Sequence, residues 1–257
     1  MGKGINTYNV NTVLIATKHD SHAKIVAECL EAGKNVYVEK PLALTYEELE
    51  NIQSSIVLHP SSILMVGFNR RFAPHIVKMK ALLRTRKQPK SFIFTINAGF
   101  IPADHWVQDS KVGGGRIIGE VCHFIDLMCF LSGSPINEWS VQSMGNDTLK
   151  DKVTINLIFK DGSLGSIHYL ANGSKRFPKE RVEVFCGGSI IQLDNFRKMK
   201  GFGWVGFNKM NLWRQDKGHK LEIQTFLDSV RFGKQSPISI NELIEETRIT
   251  LEIANSL

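Results

Sequence analysis

The stretch Val10-Asn-Thr-Val-Leu-Ile-Ala-Thr17-Lys-His19-Asp-Ser-His22-Ala-Lys-Ile-Val-Ala-Glu-Cys-Leu30-Glu-Ala-Gly33-Lys-Asn35-Val-Tyr-Val38-Glu-Lys40-Pro41 decides the fold. Val10–Thr17 is a short apolar run rich in β-branched residues, as a strand buried on both faces of a parallel sheet requires. Asp20 or Ser21 can cap the helix that follows. Its apolar positions Ala23, Val26, Ala27 and Leu30 fall at helical spacing, and Gly33 supplies the stop. Asn35–Val38 is a second buried strand. Strand, helix and strand joined by tight connections predict a right-handed βαβ crossover.

Downstream, Thr45-x-x-Glu48 is a capping box that opens a helix running to about Ser55. Ile63–Gly67 reads as a third strand, so residues 10–69 spell β-α-β-α-β, half of a doubly wound sheet. The pattern then changes. A helix is predicted over Ala73–Leu83 and a strand over Ser91–Ile96. A loop with Trp106 leads to Gly113-Gly-Gly115 and an apolar helix over Ile117–Leu131. Alternating segments follow at Trp139–Met144, Val153–Phe159, Leu164–Tyr169, Arg181–Cys186 and Ser189–Leu193, with a strong hairpin turn at Asp161-Gly162. Two helices, Lys220–Phe232 and Ile240–Leu257, close the chain. The predicted class is α/β plus α+β: a partial Rossmann domain over residues 1–69, then an α+β domain over 70–257 with a large open, mainly antiparallel sheet.

The 257 residues are 42% hydrophobic and 22% charged, ordinary globular composition. No apolar run reaches the ~18 residues of a membrane span, and the first residues lack the apolar core of a signal peptide, so a cytoplasmic protein is expected. The net charge of +7 is spread along the chain, with one dense stretch at Arg84–Lys90 that suits a solvated helix end. A nucleic-acid face would gather that charge with exposed aromatics, so none is expected; anionic small ligands fit the balance better. Cys29, Cys122, Cys129 and Cys186 form no C-x-x-C pair and read as packed thiols, not as a zinc site or disulfide framework.

Four segments carry candidate chemistry. Glu39-Lys40-Pro41 stands straight after a buried strand, where ligands bind in open α/β sheets. Proline holds Lys40 extended, and an ammonium fixed there polarises a carbonyl or exchanges a hydroxyl proton. In the second segment, Gly113-Gly-Gly leads into a helix bearing Glu120, His123 and Asp126 at i, i+3 and i+6, so each neighbouring pair shares a face. A carboxylate beside an imidazole suits general acid–base work, and equally a structural hydrogen bond. The third, Thr17-Lys-His19-Asp-Ser-His22, sits at a strand-to-helix junction. Its His-x-x-His has no third ligand at a recognisable spacing, so a cap and a cofactor contact are expected there and a metal is not. In the fourth, Asn69-Arg70-Arg71 follows the third strand, where arginines pair with carboxylates or with substrate phosphate.

Taken in order, Thr17-x-x-x-x-His22, Leu30-Glu-Ala-Gly33, Val36-Tyr-Val-Glu-Lys-Pro41, Gly67-Phe-Asn-Arg-Arg-Phe72, Gly113-Gly-Gly and His123-x-x-Asp126 resemble the glucose–fructose oxidoreductase/inositol dehydrogenase family, often called Gfo/Idh/MocA. The resemblance runs from about Val10 to the C-terminus. It implies an NAD(P)-dependent oxidoreductase moving hydride between the nicotinamide and a CH–OH group of a sugar, nucleotide sugar or polyol. Lys40 and His123 would be catalytic, with Glu120 in support. Thr17, His19, His22, Glu39, Lys40 and Pro41 would line the cofactor, and Asn69, Arg70, Arg71 and Asp126 the substrate. The second domain's sheet would carry homo-oligomer contacts. The flavour of the Gly113–Glu120 and Asn69–Phe72 segments resembles a branch tied to surface-polysaccharide sugars.

Two departures stand out. Many family members carry an aspartate four residues before the histidine, where this chain has Gly119. Glu120 is adjacent, but one helical step turns a side chain by about 100°. The dinucleotide fingerprint G-x-G-x-x-G is expected about 60 to 70 residues before the lysine segment, yet nine residues precede Val10. Gly2-Lys-Gly4 has neither a preceding strand nor a third glycine. The first βαβ unit, with the acidic residue that separates NAD from NADP, is therefore expected to be missing. Three readings follow: a dehydrogenase whose chain is incomplete and inactive in this form, a non-catalytic sugar-binding or oligomerisation module derived from one, and an enzyme completed by a second polypeptide.

Overall fold

A computed structural model describes residues 10–145 and 148–257; Gly2 and Gly4 lie outside the described residues. The chain divides into two compact units. The first comprises the described residues up to Phe68 together with 104–122 and 220–255. The second comprises 69–103, 123–219 and the last two residues.

The first unit holds β1 (Thr12–Ile15), α1 (His22–Glu31), β2 (Asn35–Val38), α2 (Tyr46–Leu58) and β3 (Leu64–Val66). The strands form a parallel sheet in the order β1-β2-β3, with Val13 opposite Val36 and Val36 opposite Leu64. Central β2 is the most apolar, and Val36 and Val38 are wholly buried. β1 is shorter than its apolar run, and Leu14 on it is half exposed. A single 3-10 turn, His19–Ser21, precedes α1, and the Ser21 hydroxyl bonds back to Lys18 O instead of capping the helix. Gly33, at φ +67°, ends α1 as predicted, since a positive φ costs glycine nothing. Thr45 caps α2 by accepting from Glu48 N at 3.2 Å. The Glu48 carboxylate reaches back to Leu44 N, one residue beyond the reciprocal partner of a capping box.

The chain passes from the first unit to the second after Phe68, and again after Cys122. The closing helices α5 (His219–Arg231) and α6 (Ile240–Asn255) fall mainly in the first unit rather than in an α+β second domain. α6 buries Leu243, Ile244, Thr247 and Leu251 and packs on α2. α5 places Glu222 against the Tyr37 hydroxyl, 3.0 Å away. Amphipathic helices go where an apolar surface is uncovered, and linear order along the chain does not say where that is.

The second unit carries α3 (Pro74–Leu83), the greater part of α4 (Cys122–Ser132) and eight strands: β4 (Ser91–Asn97), β5 (Ile136–Ser143), β6 (Lys152–Phe159), β7 (Leu164–Leu170), β8 (Glu180–Cys186), β9 (Ser189–Asp194), β10 (Lys198–Phe202) and β11 (Lys209–Asn211). They form one sheet in the order β11-β10-β9-β8-β4-β7-β6-β5. It is mainly antiparallel, as predicted, with one parallel pair, β4 and β7. Phe92, Phe94 and Phe159 fill the inner face, and Gly165 leaves the space that Met128 of α4 occupies. Gly162, at φ +82°, makes the β6–β7 turn. The sequence reading missed β10 and β11, whose lysines and glycines mask the alternation; on β10 only Met199 is buried.

Candidate active site at the carboxyl ends of the parallel strands

In the first unit, chain leaves the carboxyl ends of β1 and β2 into the segments Thr17–Ser21 and Glu39–Pro41. A buried imidazole ties them together. His22, at the start of α1, points Nδ1 at Pro41 O (2.8 Å) and Nε2 at Thr17 O (3.1 Å). Both partners are carbonyls, which only accept, so the protonated ring nitrogen donates to one loop while the other nitrogen faces the second. His22 thus shapes the site from behind. The Lys40–Pro41 peptide is cis.

In front of that tie, Lys40 directs its ammonium to Gly119 O at 2.8 Å. Gly119 sits in a single π-helical turn, Ile117–Val121, where the sequence reading had a plain α-helix. Such wider turns recur at functional sites. Gly114 and Gly115, at φ +73° and +75°, provide the approach to it. A side chain at 113 would collide with the backbone of Trp106 and Val107, so that position admits only glycine.

His19 completes the group. Its Nδ1 lies 2.8 Å from Gly113 O, its ring meets Trp106 edge-on at 4.9 Å, and the neighbouring backbone N–H of Asp20 donates to Val112 O. Burial lowers its pKa to about 4; the Gly113 contact opposes this, and the Lys40 and His22 charges assist it. At neutral pH the ring is therefore uncharged. Because a carbonyl only accepts, the proton sits on Nδ1, and Nε2 keeps an open lone pair.

Glu39 faces the Tyr37 hydroxyl at 3.4 Å, and that hydroxyl also lies 3.0 Å from Glu222. Burial first, then the two carboxylates, pushes the phenol far above its usual range, so it stays protonated as a donor between them. Gly67, after β3, leaves room for this cluster: a Cβ there would stand 2.8 Å from the Tyr37 hydroxyl oxygen.

The structure gathers Thr17, His19, His22, Glu39, Lys40 and Pro41 at one end of the parallel sheet. Glu120 forms an ion pair with buried Arg116 at 2.8 Å. His123 and Asp126 follow on α4 in the second unit, both buried. Asp126 pairs with Arg71 at 2.6 Å. Arg70 makes a two-pronged contact with Glu180, which Lys217 also meets at 2.5 Å. Asn69 donates to Lys217 O. Arg70, Arg71, Asn69, Asp126 and Glu180 are buried, and these partners all lie within the second unit. Sequence reasoning missed Glu180 and Lys217, which lie in alternating or irregular sequence without a motif, and the carbonyls of Gly113 and Gly119, which no side-chain pattern marks.

The residues present fit the nicotinamide and ribose end of a dinucleotide. The Thr17 hydroxyl, Lys18, the His19 acceptor and Lys40 stand at adjacent strand ends, with Thr17 and Lys18 exposed. A G-x-G-x-x-G string does occur, Gly201–Gly206, but it joins antiparallel β10 and β11 and opens no helix, so it lacks the geometry that seats a diphosphate. Among the described residues no helix is long and apolar enough to cross a membrane.

Comparison with known proteins places these features. Residues 4–68 match the model of an oxidoreductase family with an NAD-binding Rossmann fold, and residues 79–191 match the GFO/IDH/MocA C-terminal domain. The chain is 26% identical over 245 residues to myo-inositol 2-dehydrogenase of Thermotoga maritima, covering 90% of this chain and 72% of that protein. It is 30% identical over 183 residues to inositol 2-dehydrogenase 2 of Paenarthrobacter aurescens, covering 65% and 52%. Levoglucosan dehydrogenase, solved with NADH and levoglucosan, superposes with a TM-score of 0.83 at 21% identity, covering 98% of this chain and 79% of that one.

Proposed function

This chain belongs to the Gfo/Idh/MocA family of oxidoreductases, and on that premise we propose that it is an NAD-dependent dehydrogenase acting on a CH–OH group of a polyol or sugar. The observation that carries the proposal is the Lys40 ammonium, fixed on Gly119 O at the carboxyl end of β2. NAD, when bound, supplies the hydride acceptor. Thr17, Lys18 and His19 offer hydroxyl, ammonium and imidazole groups to its ribose and carboxamide, and Glu39, at the end of β2, is assigned to the same lining. Lys40 exchanges the proton of the substrate hydroxyl, which must leave as the carbon gives up hydride. His123 takes the acid–base or substrate-orienting role that the family resemblance implies.

Arg70, Arg71, Asn69 and Asp126 we assign to the framework of the second unit in place of substrate contact, because all four are buried, with Arg70 on Glu180, Arg71 on Asp126 and Asn69 on Lys217 O. Glu120 we assign to holding Arg116. The relatives named above make inositols and anhydro-sugars the first substrates to try. The test is to titrate the purified chain with NADH and then to follow NADH formation with myo-inositol, levoglucosan and related polyols. Saturable binding with turnover of one of them is expected. Binding of sugar without dinucleotide would favour a non-catalytic module instead.

We further propose that a second copy covers the outer face of the eight-stranded sheet. There Phe185, Leu164 and Ile158 lie in one cross-strand row through Ser91, with Ile93 beside it. All four are exposed, although most residues around them alternate inward and polar. A Leu164→Lys substitution is expected to shift the protein to a smaller species in sedimentation, since a buried lysine at such a face has no partner. An unchanged sedimentation coefficient would remove this face from the interface.

A further inference from the structure

We propose that His19 is a positioning residue for Lys40, acting through the glycine turn 113–119, and that it occupies the space a side chain at position 119 would take. The proposal deepens the assignment of Lys40 above and rests on it only for the word catalytic. Three contacts carry it. The His19 ring bonds Gly113 O at the start of the turn. A Cβ built on Gly119, at the end of the turn, would stand 3.0 Å from His19 Cε1, so the bare glycine and the ring are fitted to one another. Gly119 O in turn receives the Lys40 ammonium. His19 therefore fixes both ends of a turn whose last carbonyl sets where the ammonium stands.

The same packing explains a departure from the family pattern. An aspartate at 119 would set its Cβ 3.0 Å from the imidazole, tighter than ordinary contact, so the ring would have to give by a few tenths of an ångström. This chain has exchanged a side chain on the turn for a ring delivered from the end of β1. The ring is buried, and Trp106 and the Gly113 carbonyl hold its orientation. Its open Nε2 leaves it free to meet a polar group of a bound ligand without releasing the turn.

The test needs no cofactor. Lysines of the purified chain are modified with trinitrobenzenesulfonate under limiting conditions, and Lys40 labelling is read by peptide mass spectrometry against Lys24 and Lys34 of the same unit. Lys40 labelling is expected to rise about fivefold in His19→Ala, the factor that corresponds to one hydrogen bond lost. Gly119→Ala should raise it too, by pushing the ring aside. The double variant should be no worse than His19→Ala alone, because the second change acts through the residue the first removes. His19→Gln, which keeps an N–H for Gly113 O, should restore most of the protection. A parallel rise at Lys24 and Lys34 would mean general loosening of the unit and would overturn the proposal. So would unchanged labelling of Lys40, or effects that simply multiply in the double variant. Turnover separates this idea from the one beneath it. If labelling behaves as expected while Lys40→Ala and wild type turn over alike, the positioning link stands and the catalytic assignment of Lys40 falls.

Discussion

Lys40→Ala is expected to lower kcat by about 10²–10⁴-fold, the range that a positioned acid or base contributes, while leaving NADH affinity within about threefold, since no seat for the diphosphate is lost. The geometry explains the split. Lys40 donates to Gly119 O, so its removal takes away the group assigned to the substrate hydroxyl and leaves Thr17, Lys18 and His22 in place. Lys40→Arg sharpens the test. Arginine keeps the charge but does not give up its proton in proteins, so it separates electrostatic polarisation from proton exchange. If Lys40→Arg is as impaired as Lys40→Ala, proton exchange is the role. If the arginine retains most of the rate, the charge alone suffices. Near-normal turnover in Lys40→Ala, measured by NADH formation on the accepted polyol, would remove Lys40 from the chemistry altogether.

The first unit was legible from sequence because its signals are local. Val36, Tyr37 and Val38 lie in a run too apolar and too β-branched to be anything but a buried strand, and Gly33 marks the preceding helix end without tertiary help. The grouping of Thr17–His22 with Glu39–Pro41 followed from topology, since residues at the carboxyl ends of parallel strands share one edge of the sheet. What the sequence hid was long-range. The closing helices α5 and α6 read correctly as helices, but their host is set by which apolar surface lacks cover. The sequence paired Glu120 with His123 and His123 with Asp126 by helical spacing, and could not show the π turn that precedes His123, the ion pair of Glu120 with Arg116, or Arg71, distant in sequence, on Asp126. Such pairings leave no periodicity to read. The same holds for the carbonyls of Gly113 and Gly119, whose chemistry belongs to the backbone.

Arg70→Met is expected to destabilise the second unit by about 3–5 kcal/mol at neutral pH, the cost of leaving a buried charge without its partner. Glu180 is almost wholly enclosed, with Arg70 making two parallel hydrogen bonds to it and Lys217 a third contact. Burial pushes its carboxyl up, but Arg70 and then Lys217 outweigh burial, and the net result is a carboxyl below its usual range. Lys217, partly exposed, cannot replace the two-pronged guanidinium, which also lies over the Phe124 ring. The pH dependence carries a definite sign. A carboxyl whose folded value is depressed contributes stability that is complete above its unfolded value, about 4.3, and is lost as pH falls toward the folded one. The wild type should therefore lose stability below about pH 4.3, while Arg70→Met, having already lost the attraction, should lose less. Urea unfolding followed by circular dichroism at pH 7 and again near pH 3.5 measures both, and the gap between the proteins should narrow at the lower pH. A constant gap would mean that Arg70 stabilises the unit through its packing on Phe124 and not through Glu180. Replacing the charges together, as Arg70→Met with Glu180→Leu, should recover much of the loss, because a matched apolar pair leaves no charge stranded.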